Sequence, residues 1–173
     1  LGEYAALNAA GVLSASDTIY LVGARAQLLV EKCTAGTHVM LAIQGSVPSV
    51  QEAIGARAAE VNVACINGPR ETVLSGSAGE MAEVAEQLAA AGFKCTQLKV
   101  PFAFHSAQVE PILDDFERLA GSVRFDAAKV AVISPLLGKI VEDELINPAY
   151  LRSHARDAVN FLGGLVSAQQ SGT

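Results

Sequence analysis

The spacing of apolar and polar positions changes several times along the chain, and each change predicts an element. Residues 3–10 read as a short helix stopped by Gly11. Ser14 and Asp17 then stand in a capping-box pattern, a hydroxyl followed three residues on by a carboxylate that satisfies free amides at a helix start. The helix that follows sets Ile19, Val22, Ala26, Leu29 and Val30 on one face at helical spacing, with Arg25 on the flank of that stripe. A charge in that position is either a surface arginine laying its stem along apolar neighbours or a guanidinium aimed into a cleft.

From about residue 37 the period shortens. Residues 38–43 predict a strand, and 47–58 a helix entered through Pro48. Residues 61–66 alternate as a second strand, Asn67-Gly68-Pro69 turns, and 71–74 form a third strand. A helix over 78–91 ends at Gly92, and 93–100 supply a fourth strand. The order β-α-β-β-α-β is the ferredoxin-like arrangement. Beyond it, Val109, Ile112, Leu113, Phe116 and Leu119 trace a clean apolar stripe on a helix with Pro111 in its first turn. A buried-type strand over 129–134, a short helix over 148–153 and a helix over 159–168, loosened by Gly163-Gly164, complete the pattern.

The four-stranded module is flanked on both sides by segments that lack a complete sheet of their own. The economical reading is an α/β fold in which residues 37–100 are an inserted ferredoxin-like subdomain and residues 1–36 and 101–173 are parts of a larger one. Val100-Pro101-Phe102-Ala103-Phe104-His105-Ser106 lies where the chain returns from the insert, at a cleft between lobes, where ligands are commonly held. Leu1 opens directly into helix and the last residues bring no closing element, so the chain reads as a piece of something longer.

Composition narrows the function classes. The 173 residues suffice for a substantial core, and a formal net charge of −6 without a basic run argues against a nucleic-acid partner. Hydrophobic residues make up 51% of the chain, yet no uninterrupted run reaches bilayer length, so no membrane partner is expected. Three distant cysteines, Cys33, Cys65 and Cys95, suggest neither a disulfide framework nor a zinc site and fit a reduced, cytoplasmic setting.

The chemistry-bearing candidates are few. His105, between an apolar run and a helix, is either a satisfied histidine at a core edge or a base. A histidine base for acyl transfer needs a nucleophile within reach, but the chain holds no Gly-x-Ser-x-Gly. Ser106 adjoins His105 in sequence, where side chains rarely meet, Ser75 fits a strand-end turn, and the cysteines read as structural. His38 reads as an edge residue. Arg152 and Arg156 fit surface pairs, with Arg156 able to approach the cleft. The Glu80, Glu83 and Glu86 series fits a solvated helix face, and Asp114-Asp115 lies off its helix's stripe.

Leu1-Gly2-Glu3-Tyr4-Ala5-Ala6-Leu7 resembles the segment just after the nucleophilic serine of malonyl-CoA:acyl carrier protein transacylases and of the acyltransferase domains of polyketide and fatty acid synthases, where the motif is Gly-His-Ser-Leu-Gly-Glu. The resemblance continues in order through Gly23-Ala24-Arg25-Ala26-Gln27-Leu28, Val73-Leu74-Ser75-Gly76, Phe102-Ala103-Phe104-His105-Ser106 and His154-Ala155-Arg156-Asp157-Ala158-Val159-Asn160-Phe161. It covers essentially the whole chain. Phe102–Ser106 and Val159-Asn160-Phe161-Leu162-Gly163 are most similar to fungal iterative, non-reducing polyketide synthases.

The resemblance implies an α/β-hydrolase-like large subdomain with a ferredoxin-like insert, and a Ser–His dyad in which His105 is the base. The serine would precede Leu1, and the Leu1 amide would be one oxyanion donor. Arg25 matches the arginine that holds the malonyl carboxylate, a task suited to a planar, always-charged fork. Phe104 matches the residue that narrows the pocket toward malonyl. His154 matches the position whose main-chain carbonyl orients the base, so its imidazole would be incidental. Asn67 is a candidate pocket-lining residue, against an ordinary Asn-Gly turn. Phe102 departs from the pattern, since family members often carry His there. The implied substrates are malonyl-CoA and a phosphopantetheinylated acyl carrier protein, the implied partners neighbouring synthase domains, with no cofactor or metal. By itself the 173-residue chain, lacking the serine, is expected not to turn over. A stand-alone fatty acid synthase transacylase and a non-catalytic carrier-protein docking domain are the alternatives.

Overall fold

A computed structural model describes residues 1–141 and 145–172. Two helices open the chain, α1 (Gly2–Ala9) and α2 (Ala15–Lys32). The Ser14 side chain accepts from the Asp17 amide and donates to the Asp17 carboxylate, so the predicted cap is present. The buried face of α2 is Leu21, Arg25, Leu28 and Leu29, whereas Ile19 is 74% and Val30 73% exposed. The predicted stripe is therefore out of phase. Arg25 lies on the inward face, not on its flank.

The next segment runs β1 (His38–Ile43), α3 (Val47–Ile54), β2 (Asn62–Gly68), β3 (Glu71–Ser77), α4 (Ala78–Ala90) and β4 (Cys95–Gln97). The strands form one antiparallel sheet in the order β2-β3-β1-β4, the ferredoxin-like order expected of βαββαβ. Its helices are clearly punctuated. Ser46 accepts from the Ser49 amide to cap α3, and Ser77 with Glu80 makes a reciprocal capping box on α4. The helix expected over 47–58 instead tightens into a 3-10 turn over Gly55–Ala59, because Gly55 at φ +55° breaks the α ladder. Leu41, Val50, Ile54, Leu74, Met81, Val84 and Leu88 close a core between this sheet and its helices.

Residues 107–112 form a 3-10 turn that leads into α5 (Leu113–Ala120), so Pro111 lies in the turn and not in the first turn of an α-helix. The strand expected over 129–134 shrinks to β5 (Ile133–Ser134), paired with an unpredicted β6 (Lys139–Ile140). The chain ends in α6 (Pro148–Arg156) and α7 (Phe161–Ser171). A second core unites residues from Tyr4 to Leu29 with residues from Phe102 to Ala155. A third, smaller cluster of Met40, Ala64, Val73 and Ala103, with Phe104 against it, ties the open face of the sheet to the returning chain. No helix among the described residues is long and apolar enough to cross a membrane.

Two devices fix the returning chain. Gln108 is buried, accepts from the Ala103 amide at 2.6 Å and donates to the Thr34 carbonyl at 2.8 Å, which pins residues 103–108 to the end of α2. A bulge in β2 between Val63 and Cys65 frees main chain for another strand-like contact. Val159 uses it, donating to the Ala64 carbonyl at 2.9 Å and accepting from the Ile66 amide at 2.8 Å. The segment after α6 is thereby held beside the sheet.

Candidate active site

His105 sits at the junction of these elements with φ +59°, the one positive φ outside glycine among the described residues. That conformation costs of order 1–2 kcal/mol for a residue with a Cβ, and such strain gathers where a side chain must point in a set direction. Its carbonyl accepts from the Ser75 hydroxyl at 3.4 Å. Ser106, fully buried, spends its hydroxyl on the Ala103 carbonyl at 2.6 Å and accepts from the Gln108 amide, so it is a turn-fixing residue and no nucleophile.

The imidazole borders two cavities that share Leu1, Arg25 and His105. The smaller, about 270 Å³, lies at the N-terminus of α1 and is closed by Glu3, Pro135, His154 and Asp157 among others. Helix N-terminal amides there carry partial positive charge, which favours an anion. The larger, about 600 Å³, is an apolar groove between α2 and the sheet, walled by Leu29, Met40, Leu98, Phe102 and Phe104. The Arg25 guanidinium stands 5.8 Å from the centre of the Phe104 ring, a cation–π contact that restrains both groups.

Among the described residues, five buried side-chain atoms have no hydrogen-bond partner: Glu3 Oε2, Tyr4 OH, Arg25 Nη1, His105 Nδ1 and His154 Nδ1. Four of these five residues line the smaller cavity, and the Tyr4 hydroxyl lies beside Arg25 without hydrogen-bond geometry. Orphaned polar groups cost stability, so their convergence on one place marks a site shaped for a polar ligand.

Burial pushes the His105 imidazole down to about 4, with Arg25 and then His154 adding to the effect, while the Asp157 main chain opposes it as an acceptor. The ring is thus neutral at pH 7, the state a general base requires. The unfolded chain, near 6.5, takes up a proton that the native ring refuses. Stability is therefore lost as pH falls from about 6.5 to about 4, by roughly 3 kcal/mol from this group. Urea unfolding at pH 8 and pH 4.5 should show that loss in the native protein and a smaller one in His105→Asn. Equal losses in both would place the titration elsewhere.

The remaining candidates divide. Leu1, Arg25, Phe104 and His154 gather around His105. Asn67 does not: it is the penultimate residue of β2 and lines a separate groove with Thr72 and Lys94. The main chain facing the His105 ring belongs to Asp157, three residues beyond His154, because the β2 bulge docks Val159 and carries Asp157 with it. The His154 imidazole is buried, with Nε2 3.2 Å from the Glu3 carboxylate. Glu3, Tyr4, Tyr150 and Gln108 escaped the sequence reading. Glu3 alone carried a signal, a carboxylate on the inner face of an apolar helix. Away from the site, Arg152 pairs with Asp114 and Glu117, and Arg156 with Glu110, as surface pairs. Cys33, Cys65 and Cys95 are free thiols that burial pushes up, away from nucleophilic character.

Known proteins resemble this chain in sequence and in fold. The chain is 82% identical over 172 residues to the conidial pigment polyketide synthase PfmaE of Pestalotiopsis fici, covering 99% of the chain and 8% of that protein. It is 55% identical over 173 residues to the non-reducing polyketide synthase terA of Aspergillus terreus, again spanning 8% of that protein. The solved acyl-carrier-protein S-malonyltransferase of Burkholderia pseudomallei 1710b superposes with a TM-score of 0.90 at 26% identity, over 99% of this chain and 57% of that one. The chain therefore spans only a small part of its polyketide synthase relatives. A family model described as the acyl transferase domain matches residues 1–173, and the chain belongs to that family.

Proposed function

We propose that this chain forms part of an acyltransferase that moves a malonyl group from malonyl-CoA, through a serine ester, to the phosphopantetheine thiol of an acyl carrier protein within a cytoplasmic, non-reducing polyketide synthase. The observation that carries the reading is a neutral, buried His105 sharing one cavity with the inward guanidinium of Arg25. A base and an anion clamp in one cavity suit a substrate with a carboxylate at one end and an electrophilic carbonyl near the other. The serine is the one the family motif sets immediately before Leu1. His105 takes the serine proton as the oxygen attacks the thioester carbonyl, and the electron pair moves onto the carbonyl oxygen. In this reading the Leu1 amide at the α1 N-terminus donates to that oxyanion. Collapse breaks the C–S bond, and the imidazolium returns its proton to the departing CoA thiolate. The carrier thiol then reverses the sequence.

In the same reading, residues 1–36 and 101–173 belong to the large subdomain and 37–100 to the inserted one, with the apolar groove between them receiving the pantetheine arm. Incubating the synthase polypeptide with malonyl-CoA should add the mass of one malonyl group at the serine, and carrier protein should remove it. Labelling that occurs on a cysteine, or that persists after the serine is replaced, would sink the proposal.

A further inference from the structure

Glu3 is an anomaly in this core. Its side chain is 5% exposed on the second residue of α1. A buried carboxylate persists only where partners offset its desolvation. Here the Tyr150 hydroxyl donates to Glu3 Oε1, and His154 Nε2 lies 3.2 Å from Oε2, in charge-pair contact but without hydrogen-bond geometry. The chain of donors has a direction. Ser134 Oγ accepts from the Leu137 amide at 3.2 Å and contacts the Tyr150 oxygen, leaving the Tyr150 proton for Glu3. The His154 ring is further held by Tyr4, edge-on at 5.4 Å, and by Tyr150, stacked at 6.5 Å. One carboxylate thus ties α1, α6 and β5 together.

What lies on either side of this knot is the active site. Glu3 follows the α1 N-terminus that closes the smaller cavity. His154 is in the last turn of α6, which the Asp157 amide closes on the Ser153 carbonyl at 2.7 Å. Asp157 then turns its main chain toward the His105 ring.

We infer that Glu3 and His154 are a positioning pair for the base: the Glu3 carboxylate clamps the His154 imidazole, and the clamped end of α6 sets the Asp157 main chain against His105. The inference rests on the acyl-transfer reading above. Around His105 stand Arg25 from α2, His154 from α6, Glu3 from α1, Cys65 from β2, and Asp157 with its main chain, while Tyr4 and Tyr150 pack on His154.

The test uses the full-length synthase and the variants His154→Ala, His154→Gln and Glu3→Gln, with kcat, KM for malonyl-CoA and the pH profile of acyl-enzyme formation. His154→Ala should lower kcat about tenfold or more with KM within about twofold, because Arg25 is untouched. It should also move the acid limb to higher pH, since His154 is one of the groups that hold the His105 pKa down. His154→Gln keeps a donor of similar reach toward Glu3, so it should recover kcat while leaving the limb shifted. Glu3→Gln should lower kcat without raising KM. A lowered melting temperature with wild-type kcat and limb would make the pair structural and overturn the inference. If His154→Ala does not fold, an unshifted limb in His154→Gln, or unchanged kcat in Glu3→Gln, overturns it equally. Absence of malonyl transfer in the unaltered synthase would instead be a failure of the acyl-transfer reading.

Discussion

Replacing His105 with asparagine, in the polypeptide that also carries the upstream serine, is expected to slow malonyl loading about 10³-fold or more at pH 7.5. No neighbour can take over. The His154 imidazole is engaged with Glu3, the Ser106 hydroxyl is committed to a main-chain carbonyl, and Tyr4 is a phenol pushed further from ionisation by burial. Asparagine is the informative replacement because it tolerates the left-handed backbone at φ +59° better than alanine does. Its fold should survive, and below pH 6 it should be more stable relative to the native protein than it is at pH 8, since the imidazole that resists protonation is gone. Quenched-flow measurement of acyl-enzyme formation checks the rate, and thermal melts check the fold. Residual loading above about a tenth of the native rate would mean that another group serves as the base.

Much of this arrangement was legible in the sequence, and the failures have physical causes. The βαββαβ segment read well because its elements carry their own punctuation: the Ser77–Glu80 box, Gly92 at φ +84°, and the Pro48 helix start. The core stripe Val109, Ile112, Leu113 and Phe116 read well because apolar and charged residues segregate sharply there. Helix α2 was misread because it offers two stripes at helical spacing. Pattern alone prefers the purely apolar one, Ile19 to Val30, over the one interrupted by Arg25. The fold buries the interrupted stripe, which is the kind of local rule a functional site breaks. The exposed part of the rejected stripe, including Ala26 and Val30, then lines the groove beside His105.

The base itself could be found, whereas its surroundings could not. His105 stands at a junction that any reading of strand and helix signals would notice. The Asp157 main chain reaches it only through a β2 bulge and the docking of Val159, which depend on hydrogen bonds between residues about a hundred positions apart. Main-chain contacts leave no mark on residue identity, and only the resemblance pointed to a carbonyl at His154. The Glu3–His154–Tyr150 cluster is likewise assembled across nearly the whole chain, with each member unremarkable alone.

Arg25→Leu should separate substrate binding from folding more sharply than any other single change. Loading from malonyl-CoA is expected to fall about 100-fold or more, because truncating one partner of a buried, charge-paired hydrogen bond costs several kcal/mol. Loading from acetyl-CoA, which brings no carboxylate, should stay within a few fold. Arg25→Lys should fall between, since an ammonium retains charge but not the planar two-point fork. The comparison belongs at pH 8. Arg25 also holds the His105 pKa down, so its loss moves the acid limb upward and would depress both substrates near that limb. Without ligand the guanidinium is buried with Nη1 unpaired, so an aliphatic replacement should raise stability by about 1 kcal/mol or more. A protein that melts higher, still accepts acetyl and refuses malonyl would fix Arg25 as the carboxylate clamp. Equal losses on the two acyl groups would remove it from that role and leave it as a determinant of the base alone.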